Sequence, residues 1–190
     1  MEFTRNENRK AIAADGTLYP SDPAFARRTG AVWRIARAAD GSGHGEVMTS
    51  ERVMGVTNGI DLSPDGETLY VGESNTQQVW AYRLAGAHLA APRLVRTFER
   101  PEIDGLRTDR DGRIFVTRPR NGTVAVLAPD GTLVREIRTL GRDPTNLTFG
   151  GPDDRTVFVS QKDGPAGGFV EAFRVDRPGR EPCLQVEAAC

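Results

Sequence analysis

The chain has 190 residues, with 25 basic against 26 acidic side chains and a formal charge of −1. A nucleic-acid phosphate backbone is met by a net basic face, so this balance excludes that class of partner. Hydrophobic residues at 38% and charged residues at 27% suit a folded core and not a disordered tail.

The N-terminus is polar from Glu2 onward and no run of roughly eighteen apolar residues occurs, so neither a membrane span nor a signal peptide is expected. Cys183 and Cys190 both stand near the C-terminus, where a disulfide would not staple the body of the fold. A reducing, cytoplasmic setting follows as the expectation. The 21 Gly and 12 Pro are spread at turn-like intervals, which favours short strands over long helices.

In chain order, four segments repeat one pattern: 14–19 (Ala-Asp-Gly-Thr-Leu-Tyr), 64–71 (Pro-Asp-Gly-Glu-Thr-Leu-Tyr-Val), 110–116 (Arg-Asp-Gly-Arg-Ile-Phe-Val) and 152–159 (Pro-Asp-Asp-Arg-Thr-Val-Phe-Val). Each is a tight turn leading into a β-branched or aromatic run, where Asp bonds its own backbone and Gly tolerates the bend. The leading aspartates, Asp15, Asp65, Asp111 and Asp153, are spaced by 50, 46 and 42 residues. A further strand follows each turn, beginning at Val32, Val79, Val124 and Val170, and turns at Asp40-Gly41 and Asp130-Gly131 introduce outer strands. A four-stranded meander repeated at this period predicts an all-β fold, a β-propeller of about four four-stranded blades in one domain over 1–190. The blades are placed at approximately 6–50, 51–99, 100–141 and 142–190.

Seven residues before each leading Asp stand Asn8, Asn58, Asp104 and Asn146. In a propeller this position opens the innermost strand, so an equal register becomes a ring around the channel. Four short oxygen-bearing side chains converging on an axis suit a hard cation or a small polyol. Asn-Gly and Asp-Gly pairs also serve ordinary turns, and all four residues bonding local backbone is the alternative; their coincidence at one register favours the ring. Asp104 is the strongest single candidate, as the one carboxylate among the four, able to ligate and to accept a proton.

Three motifs carry a family resemblance: 57–71 (Thr-Asn-Gly-Ile-Asp-Leu-Ser-Pro-Asp-Gly-Glu-Thr-Leu-Tyr-Val), 103–112 (Ile-Asp-Gly-Leu-Arg-Thr-Asp-Arg-Asp-Gly) and 144–151 (Pro-Thr-Asn-Leu-Thr-Phe-Gly-Gly). Together the chain resembles the C-terminal two-thirds of the gluconolactonase, regucalcin (senescence marker protein) and luciferin-regenerating-enzyme group, whose members are six-bladed propellers. The resemblance implies a divalent metal, calcium or zinc, at the channel mouth with Asn58 and Asp104 among its ligands and Asn8 on the substrate side; with a cation bound there, Asn146 beside Asn8 is expected to orient substrate hydroxyls. It also implies metal-dependent hydrolysis of a lactone, in which Asp104, the one carboxylate of the ring, is expected to serve as ligand and as catalytic base. Glu7-Asn8-Arg9 departs from the family's Pro-Asn-Asp, and the family's first metal ligand, a Glu, has no match here. A truncated, weakly active or inactive lactonase is therefore one expectation; a non-catalytic propeller module binding a small ligand or protein is the other. Four blades at six-blade curvature leave faces uncovered, which predicts self-association through them.

Other chemistries have little support. His44 and His88 lie in loop-like, glycine-flanked stretches without ligand spacing. There is no Gly-x-Ser-x-Gly nucleophile and no phosphate-binding glycine loop. Arg27-Arg28 and Arg118-Pro119-Arg120 read as loop charges, and Trp33 and Trp80, at equivalent repeat positions, as core packing.

Overall fold

The computed structural model describes residues 9–37, 42–99, 102–162 and 167–180. Four antiparallel meanders follow one another. The first comprises β1 (Lys10–Ile12), β2 (Leu18–Ala24), β3 (Thr29–Arg37) and β4 (Gly43–Val47). After β5 (Thr49–Ser50) comes the second, β6 (Thr57–Leu62), β7 (Thr68–Glu73), β8 (Gln78–Ala85) and β9 (His88–Thr97). The third holds β10 (Leu106–Thr108), β11 (Ile114–Arg118), β12 (Thr123–Leu127) and β13 (Leu133–Arg138). The last holds β14 (Pro144–Gly150), β15 (Thr156–Lys162) and β16 (Gly168–Arg174). This is a four-blade β-propeller arrangement.

Two details depart from four uniform four-stranded blades. Among the described residues the last sheet has three strands, and the second gains β5, which pairs parallel with β9 through Thr49↔His88 and Ser50↔Leu89. The two histidines also sit on strands and not in loops. His44 pairs with Ala36 across the β3–β4 hairpin, and His88, on β9, shares a 2.8 Å hydrogen bond between its Nδ1 and the Thr49 hydroxyl.

Strand periodicity explains the stacking. Side chains alternate faces every residue, so a sheet between two neighbours needs apolar residues on both. On β7, Leu69 and Val71 join Ala11, Tyr19 and Val32 of the first sheet, whereas Tyr70 between them joins Leu106, Ile114 and Val116 of the third. On β11, Ile114 and Val116 face the second sheet while Phe115 joins Leu147, Val157 and Val159 of the last. Both inner blades are thereby buried on two faces. The last sheet is not: Val157 and Val159 are fully buried, but Phe158 between them is 39% exposed, on the same face as Val170 at 65%. Trp80 packs against the first of these cores and its ring carries the Arg52 guanidinium 4.0 Å from its centroid. Trp33 is half-buried and donates its indole N–H to Asp22 at 3.1 Å.

The turns have the expected chemistry in three blades. Asp15, Asp65 and Asp153 each accept from the backbone N–H two residues on, at 2.9, 3.0 and 3.4 Å. In the third blade Asp109, two residues before Asp111, takes this role for the Asp111 and Arg113 N–H groups at 3.0 and 2.8 Å. The Ser63 hydroxyl and the Glu67 N–H hold the Asp65 carboxyl below its ordinary value. A carboxyl depressed in the folded state contributes stability above its unfolded pKa, and that contribution is lost as pH falls through the folded one. Asp65→Asn should therefore show a smaller drop in urea midpoint than the wild type between about pH 6 and about pH 3. An equal drop in both proteins would remove Asp65 from the acid response.

Candidate functional site

The first strands of the four meanders, β1, β6, β10 and β14, contact one another in succession, and two glycines bring the last three together. The Gly59 N–H donates to the Asp104 carbonyl at 2.8 Å, and the Gly105 N–H to the Thr145 carbonyl at 3.0 Å. A Cβ on Gly59 would overlap the Asp104 carbonyl and would stand 2.6 Å from Leu106 Cβ; one on Gly105 would stand 2.6 Å from Asn146 Oδ1 and 2.7 Å from its Cα. Glycine after Asn58 and after Asp104 is thus a requirement of close blade packing.

That packing unites Asn58 and Asp104. Asn58 is buried, and its amide donates to the Ser74 hydroxyl at 2.7 Å, which in turn donates to the Ile103 carbonyl at 2.8 Å. Its Oδ1 is buried without a hydrogen-bond partner. Asp104 precedes β10, held by its own N–H to the Thr117 carbonyl at 3.1 Å and by the Thr117 N–H to the Gly105 carbonyl at 2.9 Å. Burial pushes the Asp104 carboxyl up to about 6, against the pull of Arg9 and of a hydrogen bond from Asn58, with Glu102 adding a smaller push. A carboxyl in this range can exchange protons near neutrality.

Asn146 is placed differently. It lies on β14 opposite Ser160, after a bulge at Pro144, and its Oδ1 accepts the Leu147 N–H at 2.9 Å. It also lines a shallow pocket of about 200 Å³ with Leu147, Phe158, Ser160 and Val170. The local-backbone alternative thus describes the Asn146 oxygen and not the Asn58 oxygen. Asn8 lies outside the described residues.

Arg9, immediately before β1, is a site residue that the register of oxygen-bearing side chains did not single out. Its guanidinium forms an ion pair with Asp104 through Nη2 and donates from the same nitrogen to the Thr145 carbonyl at 3.2 Å. The available signal was its position, one residue after Asn8, where the other blades have Gly59, Gly105 and Leu147. At the opposite ends of the inner strands, Asp61 accepts from the Thr108 N–H at 2.8 Å and pairs with Arg180 at 2.7 Å. A cavity of about 250 Å³ there is lined by Lys10, Ile12, Asp61, Arg107, Thr108 and Arg180 among others.

For a divalent cation, the donors fit in kind: Asn58 offers a buried oxygen without a partner and Asp104 offers a carboxylate. Among the described residues no group of three or more His, Cys, Asp or Glu side chains is arranged to hold a metal. Nor is any helix among them long and apolar enough to cross a membrane.

Comparison with known proteins adds an independent line. The family model for the SMP-30/Gluconolactonase/LRE-like region matches residues 4–162. A 6-deoxy-6-sulfogluconolactonase from Pseudomonas putida is 31% identical over 179 residues, covering 86% of this chain and 58% of that protein. A solved gluconolactonase from Xanthomonas campestris is 26% identical with a TM-score of 0.67, covering 82% of this chain and 54% of the other. The calcium-binding protein regucalcin from Agrobacterium tumefaciens superposes with a TM-score of 0.76 at 20% identity, over 94% of this chain and 64% of the other, a likeness of fold. The chain spans about half the length of the curated relatives it matches.

Proposed function

Because the chain belongs to the SMP-30/gluconolactonase/LRE-like family, we propose that its channel mouth is a lactone-hydrolysing site built on Asp104 and Asn58. The observation that carries this reading is the pairing of a buried, partnerless carboxamide oxygen with a buried carboxyl whose pKa stands near 6. Relatives named as lactonases make a sugar lactone the substrate class.

In this reading Asn58 Oδ1 and the Asp104 carboxylate would hold a divalent cation, which when bound supplies Lewis-acid polarisation of a ring carbonyl. Asp104 takes the proton of the attacking water, a role suited to a carboxyl raised by burial. The Ser74 hydroxyl accepts from the Asn58 amide and so holds its orientation, which leaves the oxygen without a protein partner. Asn146 and Asn8 are assigned to substrate hydroxyls. For Asn146 this means contact through its NH₂ group, since its oxygen is engaged by Leu147.

A panel of five- and six-membered aldonolactones, followed by acid release in weakly buffered solution, tests the reading. Hydrolysis above the spontaneous rate, abolished by a chelator and restored by a divalent salt, is the expected result. Spontaneous rates throughout, together with no metal uptake, would return the chain to the class of non-catalytic binding modules. The partly exposed face that carries Phe158 and Val170 would then become the primary candidate for its partner surface, including a second copy of the chain.

A further inference from the structure

We infer that Arg9 is an internal counter-cation of Asp104 that competes with a divalent cation for the same carboxylate and so sets the metal affinity of the channel mouth. The inference rests on the reading of Asn58 and Asp104 as an oxygen-ligand pair, and adds to it a residue of opposite effect.

The geometry builds Arg9 into the site. Its carbonyl accepts the Ser21 N–H at 3.1 Å, fixing its backbone against β2, and its side chain reaches the last sheet at Thr145. The Arg9 and Asp104 side chains are only 20% and 17% exposed, so water screens their attraction weakly. Yet the hold is incomplete. One nitrogen, Nη2, serves both Thr145 and Asp104, while the Arg9 Nε is buried without a partner. Asp104 Oδ1 accepts no hydrogen bond of regular direction, so the contact is one of charge and not a two-pronged fork. A pair held in this way is exchangeable.

Charge counting then gives the sign. The groups acting on the pair are Arg107, which disfavours the Arg9 cation, and Glu102, which disfavours the Asp104 anion. With no further acidic cluster among the described residues, a metal ion would meet a single carboxylate already neutralised by a guanidinium. Two like-signed cations a few Å apart in a poorly screened site repel, so occupancy by the metal requires Arg9 to leave Asp104 or to lose its charge by substitution. The corresponding position holds Gly59, Gly105 and Leu147 in the other blades, and this one alone is charged.

Calorimetric titration of the full chain with calcium chloride tests the competition in the wild type and three variants. Arg9→Met keeps the length of the stem and removes the charge, and should bind calcium about tenfold tighter or more than the wild type, the scale of a one-unit electrostatic bias. Arg9→Lys keeps a positive charge and should stay within about threefold of the wild type. Adding Asp104→Asn to Arg9→Met should abolish the gain. Equal or weaker binding by Arg9→Met, with the wild type still binding, overturns the competition and leaves the ligand pair standing. No binding by either protein, with thermal unfolding intact, overturns both. Should Arg9→Met fail to fold without its Thr145 contact, the Nε–Hε NMR signal of wild-type Arg9 decides. Saturating calcium is expected to shift it, and an unmoved signal rejects the idea.

Discussion

Asp104→Asn is expected to lower lactone hydrolysis above the spontaneous rate by at least about a hundredfold, the lower end of what a positioned acid–base group contributes. The substitution keeps the shape of the side chain and removes both its charge and its capacity to take a proton. Its effect on folding should stay below the roughly 3–5 kcal/mol of breaking a fully buried pair, because both side chains are partly exposed. Arg9 is left without its carboxylate but keeps the Thr145 carbonyl, and the cost of desolvating a carboxylate at this position disappears. The two readouts are therefore separable: a near-normal unfolding temperature with activity at background supports a chemical role, whereas parallel losses would make Asp104 a structural anchor. Retention of full activity in a folded Asp104→Asn protein would end the assignment of this carboxyl as the reacting group.

The legibility of the sequence divides along the range of the interactions involved. Turns and strands are local, and the Asp-Gly turns, with Asp153-Asp154 in the last blade, followed by alternating apolar runs locate β2, β7, β11 and β15 because the side-chain period of two is written directly in Leu69-Tyr70-Val71 and Ile114-Phe115-Val116. The pairing of Asn58 with Asp104 is equally readable, since each precedes a glycine whose missing Cβ lets neighbouring sheets approach. Asn146 shares the register but is followed by Leu147, and its oxygen is engaged by that residue's N–H; identical spacing does not guarantee identical orientation. Arg9 illustrates what spacing cannot encode. A long side chain starting on the first sheet ends on Asp104 of the third and Thr145 of the last, a reach governed by the curvature of the whole assembly. The same holds for β5, two residues long, whose existence depends on β9 offering a free edge.

Gly59→Ala should lower stability by about 3 kcal/mol, the upper end of ordinary overpacking. The added carbon meets the Asp104 carbonyl and the Leu106 N–H, which are main-chain atoms of the next sheet and cannot rotate away as the end of a flexible side chain would. Relief requires the second and third sheets to separate, which stretches the 2.8 Å hydrogen bond from the Gly59 N–H to the Asp104 carbonyl. It also loosens the apolar layer that Tyr70 and Val79 share with Leu106 and Ile114. Because that hydrogen bond sets the distance between Asn58 and Asp104, stability and metal binding should fall together. Gly45→Ala is the matched control: its new Cβ would meet only Ile35 Cγ1 at 3.6 Å and Trp33 at 3.9 Å. It should shift the urea midpoint by less than the equivalent of about 0.5 kcal/mol, as exposed-side substitutions usually do. A Gly59→Ala protein as stable as the Gly45→Ala one would mean that the blades pack more loosely than these contacts require, and that the register of Asn58 and Asp104 is held by something other than the glycine between them.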